Sequence, residues 1–197
     1  MLFVESAPVL IQDYAENMTD EAFKRFCAAN PDLRIEMDKD KNLIVMAPTF
    51  SQTGRYNAKL LTSVENWSEA TNLGYAFDSS TGFRLPNGAK RSPDVSWITK
   101  ERWEALSEDE KEDYAPICPD FTIELRSKTD RLKRIQAKME EYLENGCRLG
   151  WLIDPVEQQV FIYRLNGSIE IINGFDKQLS GEDVLPDFVF DLNILKK

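Results

Sequence analysis

The chain has no histidine among its 197 residues. That absence excludes Ser-His-Asp and Cys-His catalysis, histidine-held zinc, and hydrolysis by a histidine base. Any chemistry must come from carboxylates, lysines, arginines, tyrosines or a hard cation. Cysteine is scarce as well. Cys27, Cys118 and Cys147 are odd in number and widely spaced, which predicts reduced thiols rather than a disulfide framework. No apolar run continues long before a charge breaks it, so no membrane span is expected. Met1–Glu5 has neither a basic region nor an extended apolar core, so no secretory signal is expected, and a cytoplasmic location follows. Excess positive charge is also lacking: 24 Lys and Arg face 34 Asp and Glu, a net charge of -10. That balance argues against non-specific coating of nucleic acid, which needs a basic footprint.

What is present suits one substantial core. Hydrophobic residues make up 42% and charged residues 29%, and with no repeat, low-complexity tract or linker, residues 1–197 read as a single α/β domain. Pro8 interrupts any early helix. Thr19 is placed to cap a helix whose first turn holds Asp20 and Glu21 and whose apolar side is Phe23, Phe26 and Cys27. Residues 33–37 and 43–47 read as a hairpin around the polar turn 38–42, followed by a loop over 48–54. Leu60, Leu61, Val64 and Trp67 mark a helix from about 55 to 71, which Gly74 ends. Short strands follow at 75–77, 83–85 and 94–98, and a charged excursion of short surface helices over 99–115. A strand at 149–153 and a meander over 160–164, 168–172 and 188–190 complete the pattern.

The chain is organised around Pro116–Pro155. Phe121, Ile123 and Leu125 alternate with Thr122, Glu124 and Arg126, the period of a half-buried strand. Glu124 and Arg126 therefore share its polar face. Such a pair makes an ordinary same-face ion pair in many strands. At a strand end, it can also hold a metal ion against a phosphate. A helix from about 129 to 145 follows, with Leu132, Ile135, Met139, Tyr142 and Leu143 on one side and a stop at Gly146. Lys138 borders that stripe, either as a catalytic lysine or as a boundary lysine covering core with its stem. The run Arg126–Arg134 holds five cations (Arg126, Lys128, Arg131, Lys133, Arg134) against Asp130. Arg84, Lys90 and Arg91 form a smaller basic cluster. A second carboxylate, Asp94, follows Pro93 on a strand that could neighbour that of Glu124. Two converging carboxylates repel unless a cation joins them or one binds a proton. An oxygen-rich site without histidine suits Mg²⁺ or Mn²⁺.

Pro93-Asp94 followed by Glu124-Leu125-Arg126 resembles the PD-(D/E)XK nuclease pattern. More closely, the chain resembles the Uma family of restriction-endonuclease-like proteins. The matching stretches are Arg34-Ile35-Glu36, Met46-Ala47-Pro48-Thr49, Ser92-Pro93-Asp94-Val95, Pro119 to Ser127, Lys138 with Tyr142, and Gly150 to Pro155. The resemblance implies a restriction-endonuclease-like core, a mixed sheet flanked by helices with an N-terminal helix and hairpin. It implies a Mg²⁺- or Mn²⁺-dependent endonuclease that hydrolyses DNA phosphodiester bonds. Asp94 and Glu124 match metal ligands, and Glu36 an additional acidic ligand. The superfamily lysine position is occupied by Arg126, which can clamp a phosphate but stays protonated. Lys138 matches a helical lysine of the family and would supply the ammonium, while Lys128 and Arg131 would join Arg126 in contacting substrate. Two strands to cut suit a homodimer. The alternative reading is a catalytically inactive binding or interaction module on the same fold.

Overall fold

The computed structural model of the chain describes residues 9–11 and 18–196; the expected break at Pro8 lies outside them. The first half runs β1 (Val9–Ile11), α1 (Asp20–Ala29), β2 (Arg34–Met37), β3 (Leu43–Met46), α2 (Ser51–Thr71), β4 (Gly74–Asp78), β5 (Phe83–Arg84) and β6 (Lys90–Arg91). It continues with β7 (Val95–Thr99), α3 (Lys100–Glu104), α4 (Glu108–Lys111), β8 (Phe121–Leu125) and α5 (Leu132–Glu144). The remainder is β9 (Leu149–Asp154), β10 (Gln159–Arg164), β11 (Ile169–Asn173), β12 (Gln178–Ser180), β13 (Val189–Asp191) and a 3₁₀ turn, Leu192–Leu195. Among the described residues, no helix is long and apolar enough to cross a membrane.

The main sheet has the order β11-β10-β9-β8-β7-β4. Only β8 and β9 pair in parallel within it, so the sheet is mixed. Parallel neighbours cannot be joined by a tight turn, and α5 provides the crossover. Alternation along the central strands divides the interior in two. Phe121, Ile123, Leu125, Trp151 and Ile153 face one way and pack with Tyr56, Leu60 and Val64 of α2. On the other side Leu152 and Phe161 pack with Met139 and Tyr142 of α5. A second sheet, β1-β3-β2-β6-β5, carries the hairpin. Phe23 of α1 seals it against Ile35, Met37 and Leu43. As expected, the Thr19 side chain caps α1 by accepting a hydrogen bond from the Ala22 amide at 3.2 Å.

Several boundaries differ from the sequence reading. Helix α2 begins at Ser51, inside the expected loop, and its first turn takes in Gly54, whose amide donates to the Phe50 carbonyl at 2.9 Å. A glycine costs about 1 kcal/mol in a helix interior, which tertiary packing of this long helix offsets. At the other end Asn72, not Gly74, takes the left-handed conformation, with φ of 54°. Gly74 serves a different need: a Cβ there would lie 2.2 Å from the Ile98 carbonyl oxygen and 2.4 Å from the Trp97 ring. Helix α5 starts three residues late because Ser127–Asp130 closes a turn, the Ser127 amide donating to Asp130 Oδ2 at 2.9 Å. Strands β6 and β12 were not foreseen. Lys90 in β6 is buried, paired with Asp20 at 2.6 Å, an environment that periodicity cannot reveal.

A buried carboxylate and lysine cluster

Alternation on β8 turns Glu124 away from the α2 side and towards α5. Strands β7 and β8 pair antiparallel with Val95 opposite Ile123. One further step in that register puts Asp94 opposite Glu124, and directly opposed residues share a face. Buried Pro93 leads the chain into this position. The Leu125 amide donates to Asp94 Oδ2 at 2.8 Å, tying the second carboxylate to the strand end that bears the first. Asn57 of α2 donates to Asp94 Oδ1 at 3.0 Å. The two carboxylates expected to converge therefore lie opposite one another, Asp94 just before β7 and Glu124 on the neighbouring β8, and are held by different scaffolds.

Lys138 reaches into the cluster from α5. Its Nζ lies 2.7 Å from Glu124 Oε1 and 2.8 Å from Glu36 Oε1. The boundary lysine thus places its charge inward, between two buried acids. The Tyr142 hydroxyl, one turn further on, donates to the same Glu124 oxygen at 3.0 Å. Glu36, on the hairpin, also accepts from the Ser92 amide at 3.0 Å and pairs with Arg91 at 3.1 Å. Arg91 in turn pairs with Glu141 at 2.5 Å. A cleft of about 430 Å³ between the hairpin and α5 reaches this network, its walls including Asp38, Arg91, Glu124, Arg134, Lys138 and Glu141.

Burial and charge pull these groups in different directions. Burial, with added repulsion from Asp94 and Glu36, pushes the Glu124 carboxyl up to about 7 even beside Lys138. Burial also raises Asp94 above the usual carboxylate range, against the pull of its Leu125 hydrogen bond. For Glu36 burial acts upward too, but Lys138 and Arg91 outweigh it and hold this carboxyl low. Burial works against the Lys138 ammonium, yet Glu124 and Glu36 overcome it and raise its affinity for the proton. Lys138 is therefore a fixed cation, and Glu124 is the member of the cluster that can change charge near neutral pH.

The donors that remain suit a hard cation. Lys138 and Tyr142 both use Glu124 Oε1, leaving Oε2 out of those contacts. The Asn57 side-chain oxygen is buried beside Asp94 with no hydrogen-bond partner. Repelling carboxylates and an orphaned amide oxygen are the donor types that Mg²⁺ accepts, with water and substrate completing its shell. Among the described residues no three Asp, Glu or Cys side chains come together to hold a metal by themselves. Glu36, with both oxygens engaged by cations, sits beside Lys138 as its second anchor.

The remaining predicted residues lie elsewhere. Arg126 pairs with Asp154, wholly buried, at 2.5 Å and donates from Nε to the Asp130 carbonyl at 3.1 Å. Lys128 and Arg131 are exposed, on the turn and at the start of α5. Asp154 also accepts from the Val156 and Glu157 amides, in the turn role expected of Asp-Pro. Sequence reasoning missed Arg91, Glu141 and Asn57. Each had a trace: Arg91 stands in the small basic cluster with Arg84 and Lys90, Asn57 is a polar residue on the buried Leu60–Val64 stripe, and Glu141 follows Arg134 and Lys138 at helical spacing beside the apolar side of α5.

The chain matches the model of the Uma2 family, described as "putative restriction endonuclease", over residues 20–193. It is also similar to a crystal structure described as "a putative nuclease belonging to DUF820" from Anabaena variabilis ATCC 29413. That likeness has 22% identity and a TM-score of 0.70, covering 82% of this chain and 88% of that one. At this identity it shows a shared fold. No curated protein matches the chain.

Proposed function

The chain belongs to the Uma2 family, and from that premise we propose that it is a metal-dependent nuclease hydrolysing DNA phosphodiester bonds, with Mg²⁺ or Mn²⁺ held by Asp94 and Glu124. The observation that carries this reading is that part-buried Asp94, just before β7, stands opposite buried Glu124 on the neighbouring β8, with Lys138 reaching in from α5 to Glu124 and Glu36. When bound, the cation would lower the pKa of a water and stabilise charge on the scissile phosphate. The chain's own residues do the rest. Glu124 would hold the cation as the ionised carboxylate, together with Asp94. Lys138, kept protonated by Glu36 and Glu124, offers a positive charge to the phosphate as negative charge develops there. Glu36 anchors Lys138 and Arg91 in this reading, and Arg126 with Lys128 meets flanking phosphates. Cutting both strands of a duplex would take two copies of the site.

A second reading is a binding module that keeps the nuclease fold without catalysis. It is favoured by Arg126, which stands where the superfamily has lysine and is paired with Asp154. Calorimetric titration of EDTA-treated protein with Mn²⁺ separates the two readings, using wild type and the Asp94→Asn/Glu124→Gln variant. Binding that disappears in the variant is the expected result, accompanied by loss of DNA cleavage in a folded Glu124→Ala protein. Cleavage retained by that protein would overturn the assignment, and a wild type with no carboxylate-dependent metal affinity would favour the module.

A further inference from the structure

A second pocket, of about 380 Å³, lies where the start of α2 meets the segments after β8 and β9. Its walls include Phe50, Gln52, Tyr56, Arg126, Lys128 and Val156. That volume is within the range of small-molecule sites. Four features of the walls point to one kind of ligand. First, Lys128 makes no ion pair among the described residues, and Arg126 uses only Nη1 and Nε in its contacts, leaving Nη2 available. Second, the 21-residue helix α2 opens on Phe50 without a side-chain cap, so its first-turn amides present partial positive charge. Third, Tyr56 is only 3% exposed, yet its buried hydroxyl has no partner; a hydroxyl in that state is destabilising until it finds one. Fourth, the Phe50 ring is 54% exposed at the rim, an uncovered aromatic surface beside the cations.

Cations and helix amides suit a phosphate, and an exposed ring beside them suits a base. The lining cations are offset by Asp154, which is wholly buried and already paired with Arg126. We propose that this pocket holds one nucleotide unit of a single nucleic-acid strand. Its phosphate meets Arg126, Lys128 and the α2 amides, and its base stacks on Phe50. The choice of nucleic acid among phosphate esters rests on the nuclease reading, whose residues are chain neighbours of this pocket's walls. Tyr56 immediately precedes Asn57, which holds Asp94, and Arg126 is two residues beyond Glu124. A strand crossing the carboxylates would thus place a neighbouring nucleotide here.

The test uses fluorescence anisotropy with a labelled single-stranded DNA 12-mer in EDTA, so that binding is read without cleavage. Phe50→Ala and Lys128→Glu alter exposed side chains, so both proteins should fold. Loss of stacking should weaken binding about ten-fold in Phe50→Ala. Lys128→Glu should weaken it and reduce the steepness of its salt dependence by about one counterion. Glu124→Gln should bind normally here and fail only in a Mg²⁺ cleavage assay, so failure of the nuclease reading would be seen separately. Unchanged affinity in both pocket variants, or no binding by wild type, overturns the proposal. Displacement of the 12-mer by inorganic phosphate as effectively as by unlabelled DNA overturns it in favour of a free-anion site.

Discussion

Replacing Lys138 with Met should destabilise the metal-free protein by an amount that grows with pH. The ammonium lies 2.7 Å from Glu124 and 2.8 Å from Glu36. Removing one partner of a buried pair typically costs about 3–5 kcal/mol. Glu36 keeps Arg91 and the Ser92 amide, so the loss falls mainly on Glu124, which keeps the Tyr142 hydroxyl and still faces Asp94. A stranded carboxylate escapes by binding a proton. Glu124 is already raised to about 7 with Lys138 in place, and the variant should raise it further. A folded-state value above the ordinary carboxylate value stabilises the fold at low pH, and that stabilisation is lost as pH rises through the folded value. The penalty should therefore approach about 3 kcal/mol at pH 9. It should shrink to about 1 kcal/mol at pH 5.5, where Glu124 is neutral in both proteins and the losses are one hydrogen bond and a Glu36 contact whose carboxylate Arg91 and the Ser92 amide still hold.

Urea unfolding in EDTA at the two pH values measures this difference directly. Adding Glu124→Gln to Lys138→Met removes the stranded charge and should recover most of the loss at pH 9, while changing little at pH 5.5. Equal destabilisation at both pH values, or no recovery by Gln, would refute the view that Lys138 is held by its charge on Glu124. The variant would then be reporting lost packing of the lysine stem.

Two further outcomes follow from the same structure. Arg126→Ala should cost about 3 kcal/mol, a fall of roughly 10 °C in Tm, because Asp154 would stay wholly buried with only the Val156 and Glu157 amides. Adding Asp154→Asn should restore part of that in a thermal melt, and an unchanged Tm for Arg126→Ala would show that the pair contributes nothing. Gly74→Ala should cost about 3 kcal/mol or more, since the new methyl meets the Ile98 backbone 2.2 Å away. Chemical denaturation would expose the error if the variant were as stable as wild type.

Much of the site could be read from local pattern. Alternation over Phe121–Leu125 put Glu124 on the face opposite Phe121 and Ile123, although the expected half-buried strand is buried on both faces because α5 covers the polar one. The helical stripe Leu132–Leu143 put Lys138 at the edge nearest that strand. The Thr19 cap followed from residue type alone. The opposition of Asp94 and Glu124 needed one assumption, that their strands are neighbours, and β7 beside β8 satisfies it. Helix ends were less legible because a few polar residues, such as Ser51–Thr53 and Ser127–Asp130, suit either a turn or a helix, and packing decides between them.

What the sequence by itself determined was the chemistry available: acids, lysines and arginines without histidine, arranged so that period-two and helical spacing assign each to a face. Which charges meet was decided only by the tertiary structure. Lys138 pairs with Glu36 across 102 intervening sequence steps, and Arg126 pairs with Asp154 across 28. The physical reason is that periodicity is a local property of the backbone, whereas partner choice depends on sheet order. The α5 crossover brings β9 beside β8 and carries Lys138 over Glu124, and the second sheet brings Glu36 and Arg91 against it.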